Sequence, residues 1–125
     1  MSEEREHLYT AQEADGTLSD LRERLERIRV ARQELLRTSE VIRERVATDG
    51  GGHDGRDYWT ALQSLREDIE YLSGRDIILR DPETGLVDFP AEREGRRVFL
   101  CWRLGEDRVE HWHDVDTGFS NRKPL

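Results

Sequence analysis

The stretch GLVDFPAEREGRRVFLCWRLGEDRVEHWHDVDTGFSNRKPL, from Gly85 to Leu125, decides how this chain folds. It holds two of the three tryptophans, all three phenylalanines and the only cysteine. Its apolar residues recur with a period of two, the spacing of half-buried strands. Leu86 to Phe89 reads as a strand stopped by Pro90, and Ala91 to Arg96 as a polar loop. Val98 to Leu104 and Arg108 to His113 pair as a hairpin about Gly105 and Glu106, with Gly105 supplying the positive φ of a type II′ turn. Upstream, Ile77 to Leu79 forms a further short strand. Asp81-Pro82-Glu83-Thr84-Gly85 is the turn that follows it, Pro82 fixing φ early and Gly85 allowing φ > 0 at its end.

Before this region the period becomes helical. Thr10 and Glu13 have the spacing of a capping box, so a helix starts there. Ala14, Leu18, Leu21, Leu25, Ile28, Leu35, Ile42 and Val46 then alternate by threes and fours, near the period of a coiled-coil seam. Gly16 weakens the first turns, which moves the regular helix to about Thr17. Three consecutive glycines, Gly50 to Gly52, end it. A second helix spans about Asp57 to Ser73, with Tyr58, Leu62, Leu65, Ile69 and Leu72 on one face and Gly74 as the left-handed residue that stops it. The predicted fold is α+β: a long antiparallel helical hairpin followed by a small antiparallel β-meander of about four strands. One domain is expected over 1–125, with a flexible N-terminus (1–9), the hairpin (10–73) with its glycine-rich linker (48–57), the meander (77–113) and a C-terminal tail (114–125).

Composition narrows the function. The chain has 125 residues, of which 34% are hydrophobic and 38% charged. So thin a core favours help from a partner subunit. The net charge is −8, and from Gly85 onward eight acids meet seven bases. Residues 1–84 therefore carry 20 acids against 13 bases, and an acidic helical region repels phosphate backbones, so nucleic acid is not an expected partner. No window has the length of a membrane span and the N-terminus lacks a secretory pattern, so the expected setting is cytoplasmic. A single cysteine excludes an internal disulfide.

The runs Asp81 to Ala91 (DPETGLVDFPA) and Cys101 to Glu106 (CWRLGE), with Trp112-His113, Gly118-Phe119, Arg122 and Pro124-Leu125, resemble the bacterial and archaeal family called domain of unknown function 2203. Tyr9 to Ala14 (YTAQEA) is similar to that family's helix opening. The resemblance covers nearly the whole chain; it departs in the glycine-rich insert from Thr48 to Asp57 and at Asp15-Gly16. It implies a fold and a cytoplasmic setting, and no residue inherits a role from it.

Two candidate sites follow from residue type. His111 and His113, two apart on a strand, leave one face about 6.6 Å apart along it, a spacing that can chelate a divalent metal if Asp116, His53 or His7 adds a third ligand. Arg103, Glu106, Trp112 and Arg122 could grip a small anion or carboxylate beside an aromatic shelf. With a two-residue turn, opposed residues have numbers summing to about 211. His111 and His113 then share the helix-facing side with Val98, Leu100, Trp102 and Val109. Cys101 lies opposite Glu110 on the other side, beyond their reach as a nucleophile. No catalytic residue and no cofactor is expected, a metal at His111 and His113 being the alternative. The favoured reading is a non-enzymatic interaction module forming a homodimer through the first helix, because that helix outruns its partner. The other reading is a metal- or small-ligand-binding protein, in which case a hydrolase is one possibility.

Overall fold

The structure, a computed structural model, describes residues 5–48 and 55–125. Helices come first and a sheet follows. The chain opens with α1 (Ala11–Asp15), and its Thr10 capping box is complete: the Thr10 hydroxyl accepts from the Glu13 N–H while Glu13 accepts from the Thr10 N–H. Gly16 interrupts as expected, and α2 (Leu18–Thr48) then runs unbroken past Arg32. The second long helix, α3 (Gly55–Gly74), packs antiparallel on it. Most of the glycine-rich linker expected over 48–57 falls at 49–54, outside the described residues. Thr48 and residues 55–57 are helical.

Three local expectations need correction. Gly74 does not carry the left-handed stop. Asp76 does, at φ 60, with the Ile77 N–H reaching the Leu72 carbonyl and the Asp76 N–H that of Ser73. These two bonds make a Schellman cap, and the Asp76 carboxylate also accepts from the His7 N–H. Residues 5–9 are docked rather than loose: Glu6 pairs with Arg97, and Tyr9 is buried in the core, its hydroxyl donating to the Arg75 carbonyl. On α3 the buried line runs through Ala61, Asp68 and Leu72, leaving Leu62 and Ile69 exposed.

The sheet is a five-stranded antiparallel meander in chain order: β1 (Ile78–Asp81), β2 (Leu86–Arg93), β3 (Arg96–Arg103), β4 (His111–Asp114) and β5 (Lys123–Pro124). The turn before β2 closes as expected on Gly85 at φ 72, where a Cβ would stand 2.7 Å from that of Leu104. Pro90 does not stop β2. Its carbonyl accepts from the Tyr9 N–H, so its backbone edge faces away from β3 and the missing N–H costs the β2–β3 ladder nothing. Nor is there a polar loop from Ala91 to Arg96. Glu94 (φ 55) and Gly95 (φ 76) make a two-residue connection with both φ positive, the type I′ pattern. The tail adds the fifth strand that its irregular sequence concealed.

The core forms where the helix-facing side of the sheet, with Val87, Phe89, Val98, Leu100, Trp102 and Trp112, meets Leu18, Leu21, Leu25, Ile28 and Leu72. Between the helices a buried acid replaces an apolar contact. Asp68 is 2% exposed and takes Arg24 at 2.8 Å and Arg27 at 2.8 and 3.0 Å.

Two stability predictions follow. Removing the charge with Asp68→Asn breaks a paired buried carboxylate that bridges α2 and α3, and should lower unfolding free energy by about 2 kcal/mol in a urea titration. Conversely, Glu94→Asn places a residue tolerant of positive φ in the type I′ turn and should raise it by about 0.5–1 kcal/mol.

Candidate functional site

The register of β3 on β4 decides which side chains meet. The observed pairs are Val98 with Asp114, Phe99 with His113, Leu100 with Trp112 and Cys101 with His111. Their numbers sum to 212, one more than a two-residue turn about Gly105 and Glu106 would give. A one-residue shift exchanges the two faces of a strand. His111 and His113 therefore lie on the outer face of the sheet with Cys101, and Trp112 takes the helix-facing side with Leu100 and Trp102.

The cause is the connection. Gly105 has φ 107, and the Glu106 N–H donates to the Arg103 carbonyl, so Gly105 is the third residue of a turn begun at Arg103, not the first central residue of a II′ turn. Residues 107–110 then stand clear of the ladder. Trp102 Nε1 donates to the Glu106 carbonyl at 3.1 Å, the Val109 N–H to Asp15 Oδ1 at 2.7 Å and Arg22 to the Asp107 carbonyl at 2.9 Å.

On the outer face a buried polar cluster results. Asp88 opposes Cys101 across β2 and β3, and His113 lies one strand further, opposite Phe99. Asp88 is 2% exposed, Cys101 1% and His113 2%. His113 Nδ1 lies 2.8 Å from the Asp114 carbonyl, which can only accept, so this nitrogen carries a hydrogen. Nε2 is thereby aimed at Asp88, 3.1 and 3.0 Å from its two oxygens. Arg80 Nε holds Asp88 from the other side at 2.8 Å. One ligand atom from each of Asp88, Cys101 and His113 lies within 4.8 Å of the other two.

The chemistry this permits is specific. Burial, with the Asp88 charge adding to it, pushes the Cys101 thiol up to about 11. Both ring nitrogens of His113 are engaged, so neither is poised to take the thiol proton, and Cys101 is not an activated nucleophile. A mixed carboxylate, imidazole and thiol donor set is instead that of a borderline metal such as zinc.

The residues that the sequence suggested for a metal are not all brought together. His113 joins Asp88 and Cys101. His111 stands opposite Cys101 on the same face, with a buried Nδ1 that has no hydrogen-bond partner. Asp116 is exposed and outside the cluster. His7 stacks on Tyr9 beside Glu13, and His53 lies outside the described residues. No local spacing points to Asp88, which lies on β2 twenty-five residues from His113. The Asp-Phe-Pro triplet gives no ligand spacing, and only the β2–β3 register reveals it.

Of the expected anion-gripping group, three members converge and one does not. Arg122 donates to Glu106 at 3.1 Å and the Arg103 N–H to Glu106 at 2.9 Å. The Arg103 and Arg122 guanidinium groups both lie over the Phe119 ring, at 4.9 and 4.2 Å from its centre. Phe119 thus anchors the tail as a cation–π partner rather than within the core. Trp112 is on the opposite face, part of the core. Glu106 already occupies Arg122, so the group is a self-satisfied latch.

A family model described as an uncharacterized conserved protein family, domain of unknown function 2203, matches residues 7–125. The chain belongs to that family. No curated protein and no solved structure matches it. Membership in the 2203 family covers the cluster and the latch alike, since both lie inside the matched span.

The latch has a pH dependence. Burial alone would raise the Glu106 pKa, but the Arg122 and Arg103 hydrogen bonds outweigh it and hold the carboxyl below its usual range. A depressed folded pKa contributes stability above the unfolded value, lost as pH falls through the folded one. Protection factors of the amides from Phe119 to Lys123, taken against the intrinsic exchange rate at each pH, should fall in that acid window, and Glu106→Gln should lower them at neutral pH. Protection in α2 should stay unchanged.

Proposed function

We propose that this protein is a non-enzymatic module whose helical hairpin pairs with a second copy of itself through α2. The observation that carries this reading is the set of large apolar side chains left in water on the two long helices. Val30 is 60% exposed, Leu36 56%, Trp59 57%, Leu62 37% and Ile69 42%. The sheet, by contrast, buries its aromatic residues well.

Helix lengths point the same way. At 1.5 Å per residue, the 31 residues of α2 span about 46 Å and the 20 of α3 about 30 Å, so α3 cannot cover its partner. Apart from the sheet, each long helix has a single helical neighbour, and two such hairpins face to face would complete a four-helix bundle. The groove between α2 and α3 suits close approach. Ala31, Thr60, Ala61 and Ser64 are small, Val30 stands at the edge, and Glu26, Arg27 and Glu34 offer charges of both signs. No helix among the described residues is long and apolar enough to cross a membrane.

Light scattering coupled to gel filtration tests this directly. The wild type should show twice the chain mass of 14.7 kDa at high micromolar concentration. The pair Val30→Glu and Leu36→Glu, both at exposed positions, should return the mass to that of one chain without loss of helical signal. A wild type that stays monomeric at this concentration ends the proposal.

A further inference from the structure

We propose that Asp88, Cys101 and His113 bind a divalent metal of the zinc class on the outer face of the sheet. This inference is independent of self-association through the helices. It rests on four features of the cluster.

Three donors of different type converge. With bonds of about 2.0–2.3 Å, a tetrahedral zinc places its ligand atoms about 3.3–3.8 Å apart. Here one atom from each residue already lies within 4.8 Å of the others, so side-chain shifts well under the size of a rotamer change would close the site.

The histidine is oriented as a ligand. Metal-binding imidazoles donate their second ring N–H to a carbonyl or carboxylate, which fixes the tautomer and directs the free nitrogen. His113 Nδ1 does this to the Asp114 carbonyl, and Nε2 points at Asp88. A single proton between Nε2 and the carboxylate is what a metal would replace.

The surroundings are those of a second layer. Arg80 holds the Asp88 carboxylate by one oxygen. Metal, thiolate and carboxylate sum to zero charge among themselves, with the Arg80 guanidinium beside Asp88 in addition.

Finally, a second histidine stands beside the cluster. His111, opposite Cys101 on the same face though outside the group whose donor atoms converge, has a buried Nδ1 without a hydrogen-bond partner.

Cobalt(II) is the probe. Titrated into the reduced full-length wild type, it should give a thiolate-to-cobalt charge-transfer band in the near ultraviolet that saturates at about one equivalent per chain. Zinc should displace it and raise the melting temperature. Cys101 is the chain's single cysteine, so a stoichiometric thiolate band assigns itself. Cys101→Ser should remove the band and His113→Gln should weaken cobalt binding at least tenfold, while the exposed Asp116→Asn should leave both unchanged. A folded wild type with neither band nor thermal shift overturns the proposal. So does a band that survives in folded Cys101→Ser. If that variant does not fold, the wild-type spectrum decides alone.

Discussion

The pairing of β3 with β4 is the constraint on which the rest of this structure depends. It is fixed by three bonds that hold the connecting segment open: Trp102 to the Glu106 carbonyl, the Val109 N–H to Asp15, and Arg22 to the Asp107 carbonyl. Two of these come from the helices, so tertiary packing, not turn chemistry, chooses the register. With it, Trp112 enters the core and both histidines leave it. The opposite choice would bury His111 and His113 against Leu18 to Ile28 and turn an indole to the outside, which the hydrophobic effect disfavours.

That dependence explains what could be read in the sequence. Features set by neighbouring residues were legible: the Thr10 and Glu13 capping box, the break at Gly16, the Gly85 turn and the α+β order of helices before sheet. Features set by distant residues were not. Gly105 announced a turn with positive φ, yet a type II turn and a II′ turn both use glycine, and they differ in register by the residues that follow. Glu94 at φ 55 gave no signal because glutamate is an unusual occupant of a type I′ turn. Pro90 misled, since proline usually ends a central strand, and only the Tyr9 N–H on its carbonyl shows that the relevant edge is not the β3 ladder.

The candidate site was legible in part for the same reason. His113, Arg122 and Glu106 attract notice by residue type alone. Asp88 and Cys101 acquire meaning only as partners across a ladder, Asp88 opposite Cys101 in β2–β3 and His113 a strand away. A site assembled from three strands, one residue each, has no linear spacing to detect. Local spacing favoured Asp116, three residues from His113, but the turn after β4 carries it into solvent.

The burial of this cluster bears on what it is for. The core against the helices is complete without Asp88, Cys101 and His113, since Leu100, Trp102, Val87 and Trp112 fill that side. The outer face could have been covered by aliphatic residues beside Phe99. Instead, a carboxylate and an imidazole are each held at 2% exposure, where removal of a charge from water costs several kcal/mol unless partners offset it. Arg80 and the Asp114 carbonyl offset part of that cost. The remaining His113 nitrogen and the Asp88 carboxylate face each other, with the Cys101 sulfur within 4.8 Å of both. A purely structural ion pair needs no thiol at that point and no second histidine with an unsatisfied nitrogen across the ladder. The metal centre proposed above would use the thiol.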